Sequence, residues 1–200
     1  MNLTIEIVLI IVTYIWGSIP YGYILTKLYT GKNILEWGSG AVGATNVGRV
    51  AGKKASFFTQ NLDILKGFIP VALFLWFHPE LPGIPQNFVY FLAFAAIIGH
   101  NFSLFLRFKG GKGVATTLGA SVLIAPFSVI ISVILFFIVK WRFKYVSLGS
   151  LALALSLPFT ELILHRITPA FYYLSVCAVL IIIMHHKNIN RLLHGKELLS

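Results

Sequence analysis

Two segments place glycines, hydroxyl side chains and cations close enough together to do chemistry on phosphate. The first runs Gly38-Ser39-Gly40-Ala41-Val42-Gly43-Ala44-Thr45-Asn46-Val47-Gly48-Arg49, the second Phe108-Lys109-Gly110-Gly111-Lys112-Gly113-Val114. Glycine allows close backbone approach and positive φ, so successive N–H groups can converge on an anion. Ser39, Thr45 and Asn46 add hydrogen-bonding side chains, and Arg49 adds a planar cation shaped for phosphate. In the second segment Lys112 stands among small residues where a helix is expected to begin, and a helix N-terminus favours anions.

Neither segment is a nucleotide motif. Residues 38–43 spell G-x-G-x-x-G, and Asp63 follows Gly43 by 20 residues. That fingerprint has meaning only between a strand and a helix of a βαβ unit, whereas both flanks here are apolar helices. Lys112 is followed by Gly113 where a P-loop requires Ser or Thr. Two further segments carry polar residues: Lys140–Ser150, with Ser147 and Ser150, and His185–Glu197, with His185 and Asn188 at i and i+3. Trp141, Arg142 and Lys144 read as interface anchors. The adjacent His185 and His186 lack the partners of a zinc motif, so no metal is expected. His100, beside the second segment, reads as a packing histidine. Asp63 and Lys66, also i and i+3 but inside an apolar run, read as an ion pair orienting the loop above them.

What positions these residues is a membrane scaffold. Of 200 residues, 58% are hydrophobic and only 11% charged, against about 45–50% and about 25% in soluble chains. Mean hydropathy is +0.86. The net charge of +10 therefore points to basic loops on one membrane face, and no nucleic-acid partner is expected. One cysteine, Cys177, excludes an internal disulfide and a Cys-x-x-Cys site. Met1 to Leu28 carries no Lys or Arg ahead of its apolar run, so it reads as a first span and not as a cleaved signal.

Apolar stretches at 4–28, 55–77, 86–106, 114–139, 145–164 and 169–184 suggest six spans. At 1.5 Å per residue the fourth would reach about 39 Å, against a hydrocarbon core of about 30 Å, and Pro126 interrupts its middle. With six spans, and Lys66 set aside, the cations divide nine against six. If 114–139 forms two helices turning near Pro126, the division becomes fourteen against one, Arg166 alone lying outside. The positive-inside rule selects the second arrangement. The expected fold is all-α and polytopic, with seven transmembrane helices, two of them short (about 11–13 residues each). The N-terminus is outside, the C-terminus is cytoplasmic, and 1–200 forms a single integral-membrane domain.

The segments GSGAVGATNVGR (38–49), LDILKG (62–67), GHNFSLFLRFKGGKGVAT (99–116), YVSLGS (145–150) and HHKNINRLLHGKE (185–197) together resemble the bacterial acylphosphate:glycerol-3-phosphate acyltransferase family, PlsY. The resemblance covers the inner loops in chain order. It implies a multi-pass enzyme of the cytoplasmic (inner) membrane that moves a fatty acyl group from acyl phosphate to the 1-hydroxyl of sn-glycerol 3-phosphate. The products are lysophosphatidic acid and phosphate, in the first step of phospholipid synthesis. It also implies a peripheral phosphate acyltransferase that supplies the acyl phosphate. None of the six histidines has Asp five positions later, the mark of acyl-CoA-dependent glycerolipid acyltransferases.

By this resemblance Arg49, Lys112, Ser150, His185 and Asn188 bind glycerol 3-phosphate, with Ser147 the rival to Ser150. Backbone N–H groups of 38–43 and 110–113 hold the acyl-phosphate phosphate and the developing oxyanion. The expected catalytic set is Ser39, Asn46, Lys112 and His185. The expected substrate-binding set is Gly38, Gly40, Gly43, Thr45, Arg49, Gly110, Gly111, Gly113, Ser147, Ser150 and Asn188. No cofactor is expected, and the partners are the two substrates and the lipid bilayer. A transporter for a phosphorylated metabolite is the alternative, but it calls for polar residues leading to both faces, whereas these clusters are nearly all inner.

Overall fold

The computed structural model describes residues 3–81 and 83–199. Among the described residues the regular structure is helical throughout: α1 (Leu3–Gly17), α2 (Tyr21–Thr30), α3 (Ala44–Phe77), α4 (Val89–Asn101), α5 (Val114–Ser121), α6 (Pro126–Phe143), α7 (Val146–His165), α8 (Pro169–Met184) and α9 (His186–Leu193). Among them four helical segments are long and apolar enough to cross a membrane. A fifth is added if α8 and α9, bent by 60° about His185, count as one.

The chain divides into two compact units, Met1–Leu123 and Ile124–Ser200. In the first, α1 packs on α4, α2 on α3, and α3 on both α4 and α5. Small residues permit these contacts, as is usual where helices associate within lipid. A Cβ on Gly67 of α3 would strike the Thr116 carbonyl of α5, and one on Gly119 of α5 would strike the Ile64 carbonyl of α3. The two backbones therefore touch directly beside Lys66. In the second unit α6 packs on α7 and α7 on α8. Ser128 of α6 donates to Glu161 of α7 at 2.6 Å, and His165 Nδ1 stands 3.2 Å from the same carboxylate. Large side chains such as Ile11, Phe127, Ile134, Trp141 and Phe159 remain exposed, as a lipid-facing surface requires.

The break at Pro126 is present, with Pro126 as the first residue of α6, a position where its missing N–H costs nothing. The two flanking helices are not both short, which corrects the sequence expectation. Helix α5 has 8 residues and α6 has 18. The apolar run ends at Val139, but α6 continues through Lys140 and Arg142, whose charges suit a helix C-terminus, and stops at left-handed Lys144. Two other breaks fall inside stretches read as single spans or loops. Pro20 follows the end of α1 and separates it from α2, and Gly52, with φ 85°, kinks α3 after its first two turns.

Candidate functional site

The first glycine segment is organised by Asn46, which lies in the first turn of α3 and is 2% exposed. Its Oδ1 accepts from the Ser39 backbone N–H at 2.9 Å. Its Nδ2 donates to the carbonyls of Trp37 at 3.0 Å and Ala41 at 2.9 Å. Gly38, at φ 62°, leaves room for this carboxamide, into which a Cβ would project. Gly43 is the N-cap of α3, and its carbonyl accepts from Asn46 and Val47. Ile34, Val42, Val47 and Ala55 pack into an apolar cluster that anchors the loop. Thr45 and Arg49, four residues apart and so on one face of the helix, are both exposed, while Ser39 and Gly40 are half-buried.

The second segment rests on the end of α4. The Gly111 N–H donates to the His100 carbonyl at 3.0 Å. A Cβ on Gly110 would strike the His100 and Asn101 carbonyls, and one on Gly111 would strike the His100 imidazole at Nε2. Gly113, at φ 80°, is the N-cap of α5, and its carbonyl accepts from Thr117 at 2.7 Å. The loop's glycines are therefore dictated by contact with His100 and Asn101. Lys112, between them, is half-buried. Asn101 is 1% exposed, its carboxamide faces Gly113, and neither of its polar atoms has a hydrogen-bond partner. The Thr116 and Thr117 hydroxyls in the first turn of α5 are likewise buried and unpartnered. Unsatisfied buried polar groups are rare and ask for a ligand or water.

Beneath this loop lies the ion pair read from the sequence. Lys66 Nζ is 2.8 Å from Asp63 Oδ1 and donates to the Ile19 carbonyl at 3.0 Å. His100 Nδ1 is 3.5 Å from the same Asp63 oxygen. All three side chains are nearly inaccessible.

In the second unit, Ser147 and Ser150 lie in the first turns of α7. The Ser150 hydroxyl donates to the Val146 carbonyl of its own helix at 2.9 Å, whereas buried Ser147 Oγ makes no hydrogen bond of good geometry. His185 sits at the bend between α8 and α9, 2% exposed. Its Nδ1 lies 2.8 Å from the Ile181 carbonyl. A carbonyl only accepts, so Nδ1 is the donor in this contact. The sequence pairs His185 and Asn188 on one helix face; the structure places His185 at the 60° bend as the N-cap of α9 and Asn188 in the first turn of α9, and both are buried.

Asn188 Nδ2 donates to Glu197 Oε1 at 2.6 Å, and Arg191 Nε donates to Oε2 at 2.8 Å. The Glu197 side chain is 4% exposed. Burial by itself raises its carboxyl, but hydrogen bonding from Arg191 and Asn188, with the Ser147 hydroxyl nearby, outweighs burial and holds it below the usual carboxylate value. Among the described residues no group of His, Cys, Asp and Glu is arranged to hold a metal ion.

A family model described as glycerol-3-phosphate acyltransferase matches residues 7–195. The chain belongs to the glycerol-3-phosphate acyltransferase family. It is 42% identical to the glycerol-3-phosphate acyltransferase of Geotalea daltonii over 98% of this chain and 97% of that one. It is 38% identical to that of Clostridium acetobutylicum over 96% of this chain and 98% of that one. A crystal structure of PlsY (YgiH), an integral membrane glycerol 3-phosphate acyltransferase, in its glycerol 3-phosphate form superposes with a TM-score of 0.89. That match has 36% identity and covers 98% of this chain and 95% of that one. The lysophosphatidic acid form gives 0.85 at 36% identity, covering 97% and 94%.

This member of the family is accordingly an integral membrane protein with several apolar helices. Two residues absent from the sequence-derived set stand out in the structure. Glu197 had a signal, being one of six acids in a strongly basic chain and lying within a segment already singled out. Asn101 also lies within such a segment, 99–116, but nothing in the string shows that its carboxamide is buried and unpartnered.

Proposed function

We propose that this acyltransferase takes its acyl group from acyl phosphate and delivers it to the 1-hydroxyl of glycerol 3-phosphate, releasing lysophosphatidic acid and phosphate. The observation that supports this most strongly is the near-full-length likeness to a chain crystallised in a glycerol 3-phosphate form. The donor is the one that the resemblance to PlsY implies; that none of the six histidines has Asp five positions on agrees with it, and acyl phosphate is already activated by a good leaving group. The hydroxyl oxygen attacks the acyl carbon, an ester bond forms, the acyl–phosphate C–O bond breaks, and the departing phosphate takes the hydroxyl proton. The protein positions the two phosphates and stabilises charge, effects that can each supply several kcal/mol.

In this reading Arg49 and Lys112 bind phosphate through charge-assisted hydrogen bonds. Gly110 and Gly113, with Gly38 and Gly43, give backbone N–H groups room to do the same, whereas the N–H groups of Gly111 and Gly40 already donate to the His100 and Trp37 carbonyls. Thr45 supplies a hydroxyl on the Arg49 face. Asn46 acts by holding the loop that presents Ser39. Ser147, Ser150, His185 and Asn188 bind glycerol 3-phosphate. The Ser150 hydroxyl already serves its own helix, whereas that of Ser147 is turned toward Glu197, which favours Ser147. Seven crossings, with the N-terminus outside and the C-terminus cytoplasmic, place the basic loops on the inner face of the cytoplasmic membrane. There a peripheral enzyme making acyl phosphate can supply the donor. Helix α5, about 12 Å long at 1.5 Å per residue, sets its N-terminal loop below the surface, where a soluble phosphate meets a lipid-borne acyl chain. The whole chain works as one acyltransferase domain.

The test is phosphate release from palmitoyl phosphate by purified protein. Release that requires glycerol 3-phosphate and yields an equal amount of lysophosphatidic acid supports the reading. Release without acceptor, or transfer from palmitoyl-CoA in its place, overturns it.

A further inference from the structure

The buried Asp63–Lys66–His100 group is not needed to explain the phosphate-binding residues, yet three ionisable side chains in an apolar helix bundle are costly and ask for a role. Their partners show what they join. Lys66 fixes the Ile19 carbonyl between α1 and α2 and the Asp63 carboxylate on α3. Asp63 in turn faces His100 Nδ1 on α4. The opposite edge of the same imidazole, at Nε2, is the surface on which Gly111 lies, and the His100 carbonyl receives the Gly111 N–H at 3.0 Å. Four helices are thus connected, through one ring, to the loop that carries Lys112. Beside Lys66, the α3–α5 contact through Gly67 and Gly119 fixes the other end of that loop.

We infer that Asp63 and His100 are positioning residues for the reaction: Asp63, neutralised by Lys66, fixes the plane of the His100 imidazole, and that plane sets the height of Gly111 and hence of Lys112. A histidine serves here because its Nε2 edge abuts a glycine that has no side chain to collide with it, while its Nδ1 edge faces a carboxylate. The inference rests on the reading that loop 110–113 with Lys112 holds a substrate phosphate.

The experiment is a double-mutant cycle on purified, detergent-solubilised enzyme, with melting temperature as the control for folding. Gly111→Ala should lower kcat/KM for glycerol 3-phosphate about 100-fold, because the new methyl collides with the ring. His100→Ala should raise KM for glycerol 3-phosphate about tenfold while kcat changes less than threefold. The double variant should be no worse than Gly111→Ala alone, since the ring it collides with is gone. Independent, multiplicative losses would overturn the inference. Asp63→Asn leaves Lys66 with an uncompensated buried charge, so the pair is tested as Asp63→Asn/Lys66→Met. This neutral variant should reproduce the KM effect of His100→Ala, and a wild-type KM counts against the inference. If His100→Ala does not yield folded protein, His100→Asn takes its place, keeping an N–H toward Asp63 without the ring. Failure of both to fold assigns the group to stability and overturns the inference. Full activity in Lys112→Ala and Gly111→Ala would instead sink the underlying phosphate reading, which separates the two failures.

Discussion

The two glycine-rich loops of the first unit are each built against a buried asparagine, and the two asparagines are used in opposite ways. Asn46 engages both Nδ2 protons and its Oδ1 in closing residues 37–41, so the loop is held by the residue that motif reading singled out. Asn101 engages nothing. Its carboxamide lies against Gly113 at the start of α5 with both polar atoms unpartnered. A satisfied amide is architecture, whereas an unsatisfied one at a helix N-terminus is binding capacity held in reserve. Residue type alone does not distinguish these states.

The largest expected effect concerns what both loops present. Arg49→Ala and Lys112→Ala should each cut kcat/KM for glycerol 3-phosphate by 100-fold or more, roughly 3 kcal/mol for a lost charge-assisted contact, with unchanged melting temperature. Near-normal turnover in either would remove that loop from the site. Asn46→Ala should come next and should register in stability. The Ser39 N–H and two carbonyls lose their partner, at about 1 kcal/mol each. Thermal unfolding should therefore fall by several degrees, since about 2–4 °C follows each kcal/mol in a chain of this size. An unshifted melting curve would break the distinction between the two asparagines. Asn101→Ala should do the reverse: stability unchanged, and KM for a phosphate substrate raised about fivefold, or about 1 kcal/mol. A marked loss of stability would show that Asn101 is a second brace. The smallest effect is none. EDTA should leave the rate unchanged if, as proposed, both loops bind phosphate through cations and backbone N–H groups, and activity lost to chelation and restored by Zn²⁺ would require a different site.

Much of the scaffold was legible because hydropathy and proline act locally. The apolar stretches 145–164 and 169–184 correspond closely to α7 (Val146–His165) and α8 (Pro169–Met184). Pro126, read as the turn in an overlong apolar run, starts α6. The reading failed where a helix outlasts its apolar run, as α6 does through Lys140 and Arg142, because long cationic side chains can reach polar surroundings from a helix end. It also missed the break before Pro20 and the kink at Gly52. At Pro20 the helix is interrupted inside a single candidate span, Leu3–Thr30, and at Gly52 a positive φ kinks a segment whose hydropathy is polar.

For the candidate site, the string singled out the glycine loops, Arg49 and Lys112 as candidates, and the Asp63–Lys66 spacing, which the structure shows as an ion pair, because close approach, fixed charge and helical periodicity are properties of neighbouring residues. It also determined the membrane class, through a composition no aqueous core could bury. Only the tertiary structure decided that Asp63 faces His100, 37 residues away, that Asn188 and Arg191 converge on Glu197, and that Asn46 is satisfied while Asn101 is not. Whether a polar group has a partner depends on what packing brings to it from elsewhere in the chain.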